Sequence, residues 1–158
     1  MSDASLDLLS FSNPVFDSYA YWGAILVIKC MLMSIWTGYF RFKNHTIVNS
    51  EDLKIAEALG HRNVKLNTND PDVERVRRGH LNDLENILPY LFAGLFYVLT
   101  NPSVGVASTL FKLAALARIA HTIVYTVIVI PQPARALTWF IQYFIAIYMA
   151  VSVVLYSK

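Results

Sequence analysis

The chain has 158 residues, of which 56% are hydrophobic and only 15% charged, with a formal net charge of +2 and six glycines, six prolines and one cysteine. A soluble domain of this length carries nearer a quarter charged residues, so composition places the chain in a membrane, and the mean hydropathy of +0.45 agrees. The same figures exclude a disordered, collagen-like or disulfide-stapled chain, and so small a net charge excludes a nucleic-acid binder with a broad basic face. Charge is also segregated. All 11 acidic residues lie at or before Glu85, and residues 86–158 hold only Lys112, Arg118, Arg135 and Lys158.

A bilayer core of about 30 Å requires roughly 20 mainly apolar helical residues. The first candidate span covers 15–40, with Lys29 in its middle. A charged loop follows over about 41–71. Residues 86–100 are apolar but too short to cross, and become long enough only if the helix starts near Asp72 and carries its charged turns with it, giving a span over 72–100. Asn69-Asp70-Pro71-Asp72 offers caps and acids for that start. Asn101-Pro102-Ser103 forms a tight turn into a third span over 104–130, which Pro131-Gln132-Pro133 ends because proline lacks an amide donor and crowds the preceding turn. A fourth span over 134–156 has one charge, Arg135, at its start. Short connections favour antiparallel neighbours, which predicts an all-α, four-helix up-down bundle in one domain spanning 1–158.

Eight of the 13 lysines and arginines lie between Arg41 and Arg78, whereas the N-terminal flank holds Asp3, Asp7 and Asp17. By the positive-inside rule the first loop is cytoplasmic and both termini lie across the membrane. No basic segment with a cleavage site stands near Met1, so the first span is expected to serve as its own uncleaved signal.

Ionisable groups within spans are costly and generally face a cavity or a partner. On the second helix Arg75, Arg78, Asn82 and Glu85 stand at offsets 0, 3, 7 and 10, one stripe, with His80 and Asp83 off it. On the third, Arg118, His121 and Tyr125 stand at offsets 0, 3 and 7. Arg135 follows the proline break, and Arg41 closes the first helix. The two stripes predict an inward-facing polar cavity. Guanidinium forks suit carboxylates, Glu85 suits an ammonium group, and so a zwitterionic, multiply carboxylated small molecule fits both signs. Lys29 is expected to pair with a neighbouring helix. No metal-ligand spacing, glycine-rich phosphate loop or nucleophile elbow is present, and Cys30 has no nearby histidine.

The run VERVRRGHLNDLENILP at 73–89, supported by NSED at 49–52, ARIAHTIVY at 117–125 and PQPARAL at 131–137, resembles the membrane-associated proteins in eicosanoid and glutathione metabolism, the MAPEG family. The resemblance covers nearly the whole chain. It implies a homotrimer of four-helix subunits in the endoplasmic reticulum membrane, with the mitochondrial outer membrane as a second location, and glutathione bound between neighbouring subunits. It implies glutathione binding by Arg41 reaching in from the adjacent subunit, by Arg75, Arg78, His80, Asn82 and Glu85, and by Arg118, His121, Tyr125 and Arg135. Arg135 and Tyr125 are then the catalytic pair beside the sulfur, no metal is required, and hydrophobic electrophiles arrive from the lipid.

Four positions bear on which family activity to expect. The prostaglandin synthases of the family carry Arg where this chain has Leu81 and Ser where it has Ala136. Trp139 stands at a position that is Tyr elsewhere, and Leu53 replaces a reactive Cys. Leu81 and Ala136 favour a glutathione transferase acting on hydrophobic electrophiles, with peroxidase activity on lipid hydroperoxides, over a glutathione-dependent prostaglandin isomerase or a non-catalytic membrane assembly. Trp139 is expected to reshape the hydrophobic pocket, and Leu53 to abolish activation by thiol-modifying reagents there.

Overall fold

Helix α1 starts where the Asn13 side chain accepts the Val15 amide at 3.0 Å and Pro14 presets the first turn. In the computed structural model, which describes residues 7–60 and 64–158, it runs Pro14–Lys43. Asp3 of the acidic flank and Arg62 of the basic loop lie outside the described residues. The remaining elements are β1 (Thr46–Ile47), α2 (Ser50–Ala58), β2 (Lys65–Leu66), α3 (Pro71–Leu99), α4 (Val104–Thr122) and α5 (Ala134–Tyr156). Among the described residues the regular structure is all-helical apart from the two-residue parallel ladder of β1 and β2. Among the described residues, three helical stretches are long and apolar enough to cross a membrane: Pro14–Lys43, Val104–Val127 and Ala134–Tyr156.

The first loop is more ordered than its charge suggested. Helix α2 and the ladder fold over the end of α1, and Asn44 there donates to the Asp70 carboxylate at 2.9 Å. That carboxylate also caps α3, accepting the Asp72 and Val73 amides at 3.1 Å each. These bonds to the charged form hold its pKa below the ordinary aspartate value, the Val73 amide contributing most. A depressed pKa means that the cap's stabilisation is present above the unfolded-state value and is lost as pH falls through the folded-state one. Replacing Asp70 by alanine should therefore cost about 1 kcal/mol near neutrality. Thermal unfolding in detergent should show this deficit narrowing at acid pH, below the ordinary aspartate range.

Helix α1 packs on α3 and α4, and α5 packs on the same two. The buried core gathers Leu26 from α1, Tyr90 and Val98 from α3, Phe111 and Ala114 from α4 and Met149 from α5. Tyr19 donates its hydroxyl to the Leu91 carbonyl at 2.8 Å, and Gly94 lets the Tyr19 ring lie directly against α3: an added Cβ would stand 2.9 Å from that ring. Between α3 and α4, Asn101 takes the left-handed conformation (φ 51°) that asparagine tolerates in a tight turn.

The C-terminal end of α4 departs from the expected regular span. After Thr122 the backbone widens into a π-helical turn, Ile123–Val127, with the Ile128 amide bonded to the Ile123 carbonyl at 2.9 Å. Val129 then adopts φ 48°, a left-handed conformation costly for a β-branched side chain. The chain turns there, and Gln132 restarts the helix by accepting the Ala136 amide at 3.0 Å through its side-chain oxygen.

Candidate functional site

The π turn sets the site. It presents Tyr125 toward the start of α5, where the Arg135 guanidinium carbon lies 4.7 Å from the centre of the Tyr125 ring. His121, one turn earlier, meets the same ring edge-on, with ring centres 5.6 Å apart and an interplanar angle of 77°. A cation over an aromatic face is worth about 0.5–2 kcal/mol, rising as water is excluded. Here the contact fixes the arginine's direction. Its Nε is buried without a hydrogen-bond partner, which leaves donor capacity for an anion.

These groups line a cleft of about 380 Å³ together with Asn82, Gln132 and Trp139. Trp139 stacks on Tyr143 at 4.5 Å and gives the cleft an aromatic wall beside its cationic one. Ala136 also lines it, so no hydroxyl is present at that position. Such a cleft can accept an anionic group against Arg135 and an apolar one against Trp139 and Phe140.

Glycine makes the arrangement possible from the α3 side. A Cβ on Gly79 would stand 2.8 Å from Cγ2 of Thr126, inside the π turn. Gly79→Ala should force that turn outward, lowering stability by about 1–3 kcal/mol and displacing Tyr125 from Arg135. Adding Thr126→Ser removes the opposing methyl and should restore most of the lost stability; no recovery would disconnect Gly79 from the cleft.

The ten sequence-predicted residues do not converge in one chain. Asn82, His121, Tyr125 and Arg135 line the cleft. Arg118 lies behind it, fully buried. Its Nη2 donates to Asp83 Oδ1 at 2.7 Å and to Asn82 Oδ1 at 2.9 Å. Arg75 is half-buried and pairs with Asp72 at 2.8 Å, while Arg78 is exposed. Glu85 is exposed at the groove between α3 and α5, and His80 lines a separate groove against α1 with Cys30. Arg41 lines a cavity of about 570 Å³ under α2, with His45, Asp52 and Ile55.

One expectation about direction is corrected. The Arg75–Arg78–Asn82–Glu85 stripe does share a helix face, but within the single chain only Asn82 on it reaches the cleft, while Arg78 and Glu85 look outward and Arg75 stays half-buried beside Asp72. The inward face is Val76, Gly79, Asp83, Ile87 and Tyr90. Asp83, set aside as off the stripe, is the buried acid, and its Oδ2 takes the expected intramembrane lysine, Lys29. The signal was present: offsets 0, 3, 7, 11 and 14 from Val76 put Asp83 within an otherwise apolar stripe. Gln132 and Gln142 carried no comparable signal; Gln142 is buried and donates to the Asn86 carbonyl at 3.0 Å, one turn before Pro89, which lies inside the continuous helix α3. Among the described residues no group of three or more His, Cys, Asp or Glu side chains could hold a metal ion.

Comparison with known proteins adds a lineage to this geometry. The MAPEG family profile matches residues 19–155. The chain is 43% identical to microsomal glutathione S-transferase 1 of Homo sapiens over 138 residues, covering 87% of this chain and 88% of that protein. It is 39% identical to the Rattus norvegicus protein of the same name over the same length. It is 37% identical to prostaglandin E synthase of Homo sapiens over 117 residues, 74% of each chain.

Proposed function

Since the chain belongs to the MAPEG family, we propose that it is a membrane-bound glutathione transferase, joining the glutathione thiolate to hydrophobic electrophiles that arrive through the lipid. The observation that carries this reading is the Arg135 guanidinium, stacked on Tyr125 at the cleft with an unpartnered buried Nε.

A thiol is a poor nucleophile beside its thiolate, and a free one titrates near pH 8.5, so about 3% is ionised at pH 7. A guanidinium next to the sulfur favours the anion, the more so where water is scarce. Lowering the thiol pKa by about two units requires roughly 2.7 kcal/mol of differential interaction, within reach of one partly buried ion pair. Arg135 supplies that charge, and the Tyr125 hydroxyl is a hydrogen-bond donor to the same sulfur. The proton leaves to water. The thiolate then attacks the electrophilic carbon, a carbon–sulfur bond forms, and the leaving group departs with its electron pair. With a lipid hydroperoxide, two glutathiones give the disulfide while the hydroperoxide is reduced to alcohol and water.

The outward stripe on α3 supports assembly as part of this reading. Charged side chains turned away from their own chain need a partner if α3 crosses the membrane, as its 29 residues allow. We read residues 1–158 as one four-helix up-down bundle, α1, α3, α4 and α5, forming a homotrimer in the endoplasmic reticulum membrane. Glutathione then lies between subunits, Arg75, Arg78, His80, Asn82 and Glu85 holding its carboxylates and amine and Arg41 entering from the neighbour. An isomerase acting on prostaglandin endoperoxides is disfavoured because Ala136 offers no hydroxyl in the cleft.

The test is glutathione titration of detergent-purified protein, read as near-ultraviolet thiolate absorbance, followed by 1-chloro-2,4-dinitrobenzene. A thiolate signal that decays as conjugate appears is the expected result. Binding without conjugation would shift the reading to the isomerase, and no binding would leave a non-catalytic assembly.

A further inference from the structure

The cleft wall on α3 depends on an acid that never reaches it. Arg118 is fully buried, and its Nη2 lies among three oxygens: Asp83 Oδ1 at 2.7 Å, Asn82 Oδ1 at 2.9 Å and the Asn82 carbonyl at 3.1 Å. Arginine has donors only, so the Asn82 atom facing it must be the amide oxygen. The orientation of that amide is thereby settled by chemistry. Its NH₂ group, on the opposite side, makes no hydrogen bond among the described residues, and the Asn82 side chain lines the cleft.

Asp83 holds the arginine that sets this orientation. It is fully buried, one oxygen on Arg118 and the other on Lys29. Without the Oδ1 contact, Arg118 would keep only two neutral acceptors from Asn82 and would lose the opposite charge that offsets its burial. The guanidinium Nε and Nη1 are already without partners in the buried interior, so the arginine has reason to move once its anion is gone.

Resting on the transferase reading, we propose that Asp83 is a positioning residue: through Arg118 it turns the Asn82 amide so that an N–H donor, and not an acceptor, meets a carboxylate of glutathione in the cleft. The contact is made equally in the ground and transition states. It therefore belongs to the Michaelis constant for glutathione and not to turnover, which separates it from the role of Arg135.

The experiment compares Lys29→Met, the double variant Lys29→Met/Asp83→Asn, and Asn82→Asp. Each is followed by glutathione titration, steady-state conjugation of 1-chloro-2,4-dinitrobenzene and thermal unfolding. The double variant keeps the cluster's net charge at +1, as in the wild-type Lys29, Asp83 and Arg118 set, while replacing the charged anchor on Arg118 by a neutral amide that no longer pairs its charge. Relative to Lys29→Met it should raise the KM for glutathione about tenfold or more, the usual scale for losing a hydrogen bond to a charged group, with kcat at saturating glutathione held. Asn82→Asp keeps an oxygen toward Arg118 but turns a carboxylate oxygen into the cleft. It should lose glutathione affinity at least as strongly while unfolding no earlier than wild type, because Arg118 gains an ion pair. An unchanged KM in the double variant overturns the proposal. If that variant does not fold, unchanged affinity in Asn82→Asp overturns it instead. If the wild-type chain itself fails to bind glutathione, the transferase reading falls and this inference with it, an outcome distinct from a binding wild type whose variants bind equally well.

Discussion

Arg135→Ala should reduce both the thiolate signal and the conjugation rate at pH 7 by roughly 25-fold, the consequence of returning the bound thiol from a pKa of about 6.5 to its free value of about 8.5. The loss should shrink as pH rises toward 8.5 and above, where the thiol ionises without help. That pH dependence distinguishes thiolate stabilisation from simple binding. Arg135→Lys tests the geometry: a lysine keeps the charge but not the planar face that lies on the Tyr125 ring 4.7 Å away. It should fall between wild type and alanine. Thermal unfolding should move little, since the arginine is half-buried and its lost contact with Tyr125 is worth about 1–2 kcal/mol at most. A pH-independent loss in Arg135→Ala would remove the residue from thiolate formation.

The largest effect on stability is expected at Asp83. The acid carries two buried cations, Lys29 on one oxygen and Arg118 on the other. Asp83→Leu leaves both cations uncompensated and close together, and breaking a buried ion pair from one side costs about 3–5 kcal/mol. Lys29→Met and Arg118→Met each leave a one-to-one pair behind. They should cost less, although Arg118→Met also releases Asn82. Thermal unfolding in detergent reads the order directly. If Lys29→Met destabilises as much as Asp83→Leu, the charge balance of the cluster is not what holds α1, α3 and α4 together there.

Helix ends were legible because they depend on local chemistry. Asp70-Pro71, Asn101-Pro102 and the prolines at 131 and 133 each mark a boundary with a missing donor, a fixed φ or a side-chain cap, and helices begin and end beside them. Likewise, Arg118, His121 and Tyr125 fall on one stripe by spacing alone, and His121 and Tyr125 do meet in the cleft. Direction was less accessible. Periodicity states which α3 residues share a face, but both faces of this helix carry charge, so it does not state which face turns inward. The decision lies in tertiary packing: Gly79 against Thr126 and Asp83 against Arg118 bury one side, leaving Arg78 and Glu85 outside. The short helix α2 was hidden for a related reason. It buries none of its nine residues fully, so it leaves little apolar pattern to read.

The widened turn at Ile123–Val127 was not legible as such, since Ile-Val-Tyr-Thr-Val, four β-branched residues around an aromatic one, carries strand propensity and no signature of an extra residue in a helical turn. Its consequence is a difference between editing the alphabet and editing the count. A π turn accommodates one residue more than an α turn would over the same rise, and Tyr125 owes its heading to that surplus. Exchanging Ile123 or Val127, both exposed, for other apolar residues leaves the count intact. Excising any single residue between them swings the downstream chain by about 100° around the helix axis, and carries the phenol away from the arginine it now supports. Along this stretch, insertions and deletions should be purged where substitutions drift.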